Sequence, residues 1–139
     1  VEIDIDYWPN IPTYLELEAG SKQALKDVCK KGDLIRTRLN ELKNKVSIIG
    51  DIRGVGLMVG TEFVNPKGQR DLQGSLPASG EIAAKVQKMC FENYLVAEKG
   101  GRDGSVMRCL CALNISEEDV NKALDIFEKC VLEIDKEYK

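Results

Sequence analysis

Arg108 is the one charged residue in an otherwise apolar or small run at 105–113, SVMRCLCAL. A short apolar run bounded by turn residues fits a buried strand. An unpaired buried guanidinium costs several kcal/mol, so this arginine needs a partner. The partner is either an acid of this chain or a carboxylate or phosphate that arrives as a ligand. Cys109 and Cys111 sit two apart, on one face of that strand. A zinc site would need two further thiolates or carboxylates, and none is spaced to provide them, so the pair reads as small buried hydrophobes. Asp51 and Arg53 also share a strand face and read as a local ion pair. The glycines at 54, 56 and 60 run G-x-G-x-x-x-G with no helix behind them, which a phosphate-cradling turn would require.

Other chemistry is limited by what is absent. The chain has no histidine, which removes Ser-His and Cys-His pairs and the usual general base near neutral pH. Five cysteines, odd in number and without a C-x-x-C, argue against a disulfide framework and for a reducing, cytoplasmic setting. A net charge of -3 gives no basic face for nucleic acid. No stretch has the length of a membrane span, and no basic-then-apolar leader opens the sequence. With 139 residues, 43% of them hydrophobic, the chain suits one modest core.

The elements that must position these residues follow from periodicity. Residues 21–46 read as a helix capped by Ser21. Its stripe is Leu25, Val28, Ile35, Leu39, Leu42 and Val46, with Gly32 at the missing step. A glycine there costs about 1 kcal/mol against alanine, so a close backbone approach is expected on that side. Residues 47–64 read as two strands joined at Arg53-Gly54-Val55-Gly56, and 65–78 as a polar loop. Residues 79–94 read as a second helix, with a stripe of Ile82, Val86, Met89, Cys90 and Asn93 flanked by Ala83 and Phe91. A short strand at 95–98 and a turn at 100–104 lead into the strand of Arg108 as a hairpin. Ser116 caps a last helix through Val120, Leu124, Phe127, Val131 and Ile134. The predicted fold is α+β: a two-layer domain with a small, mostly antiparallel sheet covered by three helices.

Two motifs carry a resemblance. IIGDIRGVGLMVGTEF at 48–63 and LVAEKGGRDGSVMRCLCALNISEEDVNKAL at 95–124 resemble the C-terminal small domain of class III pyridoxal-phosphate aminotransferases. The wording at 98–102 leans towards the diaminobutyrate–2-oxoglutarate subgroup. The resemblance implies an amino group moved from an amino acid or diamine-type donor to 2-oxoglutarate, with Arg108 binding the substrate carboxylate. It makes Arg53, Gly54 and Gly56 a structural motif. It also implies that the Schiff-base lysine and the phosphate cradle belong to a large domain missing from these 139 residues, or to a partner chain, so no cofactor is expected on this chain alone and the isolated chain is expected to be inactive. Dimeric relatives imply a homo-oligomer. Cys111-Ala112 stands where the family has Pro-Pro, so the end of the strand is expected to be less rigid.

Residues 1–20 divide from 21–139 as an N-terminal extension. IDYWPNIPTYLELE at 5–18 looks like the last strands of CYTH triphosphate-tunnel proteins, in which Glu16 and Glu18 would face metal ions; the plainer reading is a terminal hairpin with its acids in water. A non-catalytic binding or regulatory domain of the same fold is the alternative to the aminotransferase reading, with Arg108 then in an internal ion pair.

Overall fold

The computed structural model describes residues 22–139 in full and, before them, the backbone of two strands, β1 (Glu2–Asp6) and β2 (Tyr14–Glu18), paired as an antiparallel hairpin. The expected Ser21 cap and the orientations of Glu16 and Glu18 lie outside the described residues. The remaining elements are α1 (Lys22–Lys43), β3 (Ile49–Val55), β4 (Met58–Phe63), α2 (Gly80–Glu92), β5 (Glu98–Gly100), β6 (Val106–Leu110) and α3 (Glu117–Asp135). The sheet runs β3-β4-β6-β5 and every neighbouring pair is antiparallel. This is the expected two-layer α+β architecture.

Strand alternation decides which residues meet the helices. Val59, Phe63 and Met107 face the helix layer and are buried with Ile35, Leu39 and Leu42 of α1, Val86 of α2 and Phe127 and Val131 of α3. Gly32 occupies the step missing from the α1 stripe. A Cβ there would lie 2.8 Å from the Cα of Gly56, so the helix rests directly on the β3–β4 turn. Gly56 has φ +54° and opens the two-residue loop between Val55 and Met58. Positive φ at that position is what a tight hairpin of this length asks of glycine. The turn is therefore Gly56-Leu57, and Arg53, Gly54 and Val55 belong to β3 instead of the connection. At Gly54, with φ +143°, a Cβ would lie 2.8 Å from the Cα of Val59.

The strand expected at 95–98 begins only at Glu98, because the end of α2 uses the residues before it. Leu95 N–H donates to Cys90 O at 2.8 Å and Tyr94 N–H to Phe91 O at 3.0 Å, with Tyr94 left-handed at φ +65°. This is a Schellman closure with tyrosine in glycine's usual place. Phe91, expected beside the buried stripe, is 69% exposed. β6 ends at Leu110, so the run at 105–113 is strand for only part of its length, and Leu110 is 53% exposed.

The far end of α3 is tied down by a buried carboxylate. Asp135 Oδ1 accepts from Ser47 N–H at 2.7 Å and from Ser47 Oγ–H at 2.8 Å, joining α3 to the connection between α1 and β3. Lys139 Nζ lies 3.1 Å from Oδ2, close enough for an ion pair but poorly aimed for a hydrogen bond. Burial pushes the Asp135 carboxyl up, yet the two Ser47 bonds and the ammonium outweigh it, and the group sits below the usual aspartate range. A depressed carboxyl stabilises the fold above the unfolded aspartate pKa of about 3.9 and loses that contribution as the pH falls through the folded value. Asp135→Ala should therefore destabilise the protein at pH 7 by about 1–3 kcal/mol, the cost of leaving a buried donor unpaired. Denaturant unfolding across pH 2–7 should show a shallower acid limb in the variant. An acid limb of unchanged slope would exclude the depressed carboxyl.

Candidate functional site

The helices leave one face of the sheet uncovered, and the register lines up its side chains in rows. Arg53, Gly60, Arg108 and Glu98 are successive cross-strand partners on that face. The adjacent row is Asp51, Glu62, Val106 and Gly100. Two arginines thus stand on either side of the bare backbone of Gly60, and their electrostatic states differ.

Arg53 is satisfied. Its Nη1 donates to Asp51 Oδ2 at 2.8 Å and to Glu62 Oε2 at 2.5 Å. The arginine in turn holds the Asp51 carboxyl below its ordinary value. The expected local pair is present, with Glu62 of β4 as a second acid that sequence spacing did not reveal.

Arg108 has donors to spare. Its side chain is 41% exposed, so on a strand expected to be buried the arginine stands half-open, on the outer face. One acid is near: Glu98 Oε1 lies 3.4 Å from Nη2, outside good hydrogen-bond length. Its Nε is shut off from solvent and has no hydrogen-bond partner. Arg38 shows the contrast, because it donates to Glu128 at 2.9 Å, to Asp125 at 2.7 Å and to the Asn121 side chain at 3.1 Å, joining α1 to α3. A guanidinium held on a strand, with donors free and one edge towards water, can take a planar oxyanion through two parallel charge-assisted bonds.

The opposite side of β6 is apolar. Cys109 and Cys111 line a mostly apolar cavity of about 300 Å³ with Ile35, Met107, Val120 and Phe127, and Glu98 and Arg108 also stand in its wall. Burial pushes the Cys109 thiol up to about 11, with Cys111 adding to the effect, and burial raises Cys111 as well. Thiols held neutral are poor nucleophiles. Between α2 and α3, burial with Cys130 alongside pushes Cys90 up to about 12. All five cysteines are free.

A pyridoxal phosphate site needs a lysine beside a pocket and donors that cradle a phosphate. No lysine is among the residues lining the cavity. Lys31, on the neighbouring stretch of α1, spends its ammonium on the carbonyls of Leu113 and Ile115 at 3.0 and 2.8 Å. Lys85 is engaged by Glu137 and Tyr138, which raise its pKa instead of lowering it as an imine-forming lysine requires. Neither this cavity nor these two lysines fit the cofactor.

Known proteins supply the context. The family model for Aminotransferase class-III matches residues 16–131. A diaminobutyrate–2-oxoglutarate aminotransferase from Haemophilus influenzae is 38% identical over 104 residues, covering 75% of this chain and 23% of that protein. An alanine/serine racemase from Pyrococcus horikoshii is 36% identical over 107 residues, covering 77% of this chain and 21% of that protein. Among solved structures, a phospholyase from Arthrobacter in complex with phosphoethanolamine superposes with a TM-score of 0.71 at 18% identity, covering 80% of this chain and 25% of that one. The chain thus spans about a quarter of the length of the relatives it matches. The family is in general dependent on pyridoxal phosphate, and its members differ in reaction. By its match over most of its length, and by a sheet and helices of the same arrangement, this chain belongs to the class III aminotransferase family.

Proposed function

We propose that this chain is the small-domain portion of a class III aminotransferase and that Arg108 receives the substrate's carboxylate. The observation that carries the reading is the state of Arg108: a strand-held guanidinium with a buried, unpartnered Nε and one loose acid, beside an Arg53 whose charge is already met. A rigid strand is a suitable base for such a group. β6 lies inside the sheet, paired to β4 on one side and β5 on the other. Orienting an amino acid by its carboxylate fixes where its nitrogen goes, which is the contribution expected of a substrate clamp.

The donor in this reading is an amino acid or diamine and the acceptor 2-oxoglutarate, a diacid. The similarity to two diaminobutyrate–2-oxoglutarate aminotransferases supports that choice. A large domain outside residues 21–139 holds the cofactor and supplies the imine chemistry. Residues 21–139 form the small-domain unit and residues 1–20 an extension to it. Five free thiols fit a reducing compartment such as the cytoplasm. Among the described residues, no helix is long and apolar enough to cross a membrane.

The outer face also supplies a contact surface. Val55, Met58 and Leu110 are cross-strand neighbours there, 55%, 38% and 53% exposed. Such a row beside a charged cluster suits coverage by the large domain or by a second subunit. The Glu98–Arg108 contact favours one other reading, a binding domain in which this ion pair is merely structural.

Three measurements test the proposal. In the intact enzyme, Arg108→Lys should raise KM for the carboxylate substrate by about 10-fold or more, the loss of one charge-assisted bond of the fork, and do less to kcat. Unchanged KM and kcat would favour the structural ion pair. Mixing this chain with pyridoxal phosphate, reducing with borohydride and weighing it should give no stoichiometric adduct; one modified lysine would mean that it builds its own cofactor site. Light scattering should show self-association that weakens in Leu110→Ser, whereas a monodisperse monomer at high concentration would remove the contact surface.

A further inference from the structure

We infer that Gly100 is a positioning residue: the space left by its missing side chain is the seat that lays the Arg108 guanidinium across β5. This rests on the carboxylate reading of Arg108 and extends it to a residue that no motif assigns. In the register, Gly100 pairs with Val106 and Glu98 with Arg108, so Gly100 is the diagonal neighbour of Arg108 on the same outer face. Diagonal neighbours are within reach of long side chains. A Cβ built on Gly100 would lie 2.8 Å from the Arg108 Cζ and 3.1 Å from its Nε, closer still to Nη2. The guanidinium therefore occupies the volume that any other residue would fill.

The backbone does not ask for glycine at this position. Gly54, Gly56, Gly74, Gly101 and Gly104 have positive φ, and Gly100 does not. Alanine is compatible with its strand conformation, so the group that a side chain would have to displace is the arginine above it. The other glycines of the hairpin serve the turn: Gly101 at φ +71° precedes the tight turn Arg102–Gly104 and Gly104 at φ +64° ends it, with Asp103 left-handed between them at φ +55°. Gly100 is set apart by function within one glycine-rich stretch. Its seat also accounts for two features of Arg108. Laid over β5, the chain brings Nη2 towards Glu98 and closes Nε off from water without giving it an acceptor. A side chain at position 100 would lift the fork off the strand and change the edge it offers to an incoming carboxylate.

The test uses the whole chain, labelled with 15N, and follows the Arg108 Nε–Hε cross-peak, assigned by its loss in Arg108→Lys, during a titration with 2-oxoglutarate. Gly100→Ala should displace that cross-peak and weaken 2-oxoglutarate binding by about 10-fold, the value of one of two parallel charge-assisted bonds. A cross-peak left in place with unchanged affinity overturns the inference while the carboxylate reading stands. A wild-type chain whose Arg108 cross-peak ignores 2-oxoglutarate removes the carboxylate reading; displacement of the cross-peak in Gly100→Ala then upholds the seat, and its absence overturns it. Should Gly100→Ala fail to fold, the double variant Gly100→Ala/Arg108→Ala decides. Recovery of folding and melting temperature supports a clash between these two residues, and equal damage in both backgrounds overturns it.

Discussion

The approach of Gly32 to Gly56 sets the depth at which α1 lies on the sheet, and much of the structure follows from it. The Cα of Gly56 would be 2.8 Å from any Cβ placed on Gly32. A glycine in a helix interior sacrifices about 1 kcal/mol of helix propensity. Here it lets the helix backbone meet the turn backbone, so that Val28 and Ile35, one turn either side, are almost wholly buried. With α1 seated that deeply, the β3–β4 hairpin is held from below at its turn. The hairpin's other face then projects Arg53 and Glu62 into solvent, in register with β6. The packing that builds the core therefore also places the polar rows on the opposite face.

Charge distribution across those rows separates the two arginines. Arg53 has an acid on its own strand and another on the next, so a ligand would have to displace a partner to use it. Arg108 has Gly60 on one side, Gly100 on the diagonal and Glu98 at 3.4 Å. Exposed ion pairs at that length are worth little, typically below 1 kcal/mol. A ligand carboxylate making two short bonds to the same guanidinium would compete well with such a contact. The difference in availability comes from the neighbours, since both residues lie on paired strands of one face.

Much of this was legible in the sequence because it depends on local pattern. The helical stripes, the glycine-broken apolar run in 47–64 and the capping Ser116 are local, and each marks its element. Arg108 stood out because one charge in an apolar run has few explanations. Features that depend on register were hidden. A loop counted from the glycines at 100–104 would set Glu98 opposite Val106, whereas the strand character of Gly100 and a tight turn over 101–105 set it opposite Arg108. The tyrosine closing α2 was equally hidden, because Tyr94 occupies a left-handed position that sequence rules give to glycine or asparagine. Phe91 was misassigned for a related reason: the stripe of α2 is narrow near its end, and the residue next to Cys90 turns to solvent.

The two sides of β6 divide the work between chemistry and packing. Alternation sends Met107 and Cys109 into the helix layer and Arg108 and Leu110 away from it. On the inner side the thiols are held neutral by burial, and the cavity beside them is lined mainly by apolar side chains, with no lysine and with Glu98 and Arg108 in its wall. On the outer side one strand presents a cation with free donors next to exposed apolar residues. Deeper in the inner cavity, among the apolar side chains, a carboxylate would lose its hydration without a partner, which is costly. Through the outer side the carboxylate keeps part of its hydration until a second surface closes over it. That surface would bury Val55, Met58 and Leu110 and, in the same motion, dry the Arg108 fork. Contact area and carboxylate affinity are then coupled on one face, because charge-assisted bonds strengthen as water leaves. In the proposed reading the uncovered chain would bind a carboxylate measurably but loosely, and the domain or subunit that packs upon Arg108 would add the rest of the affinity.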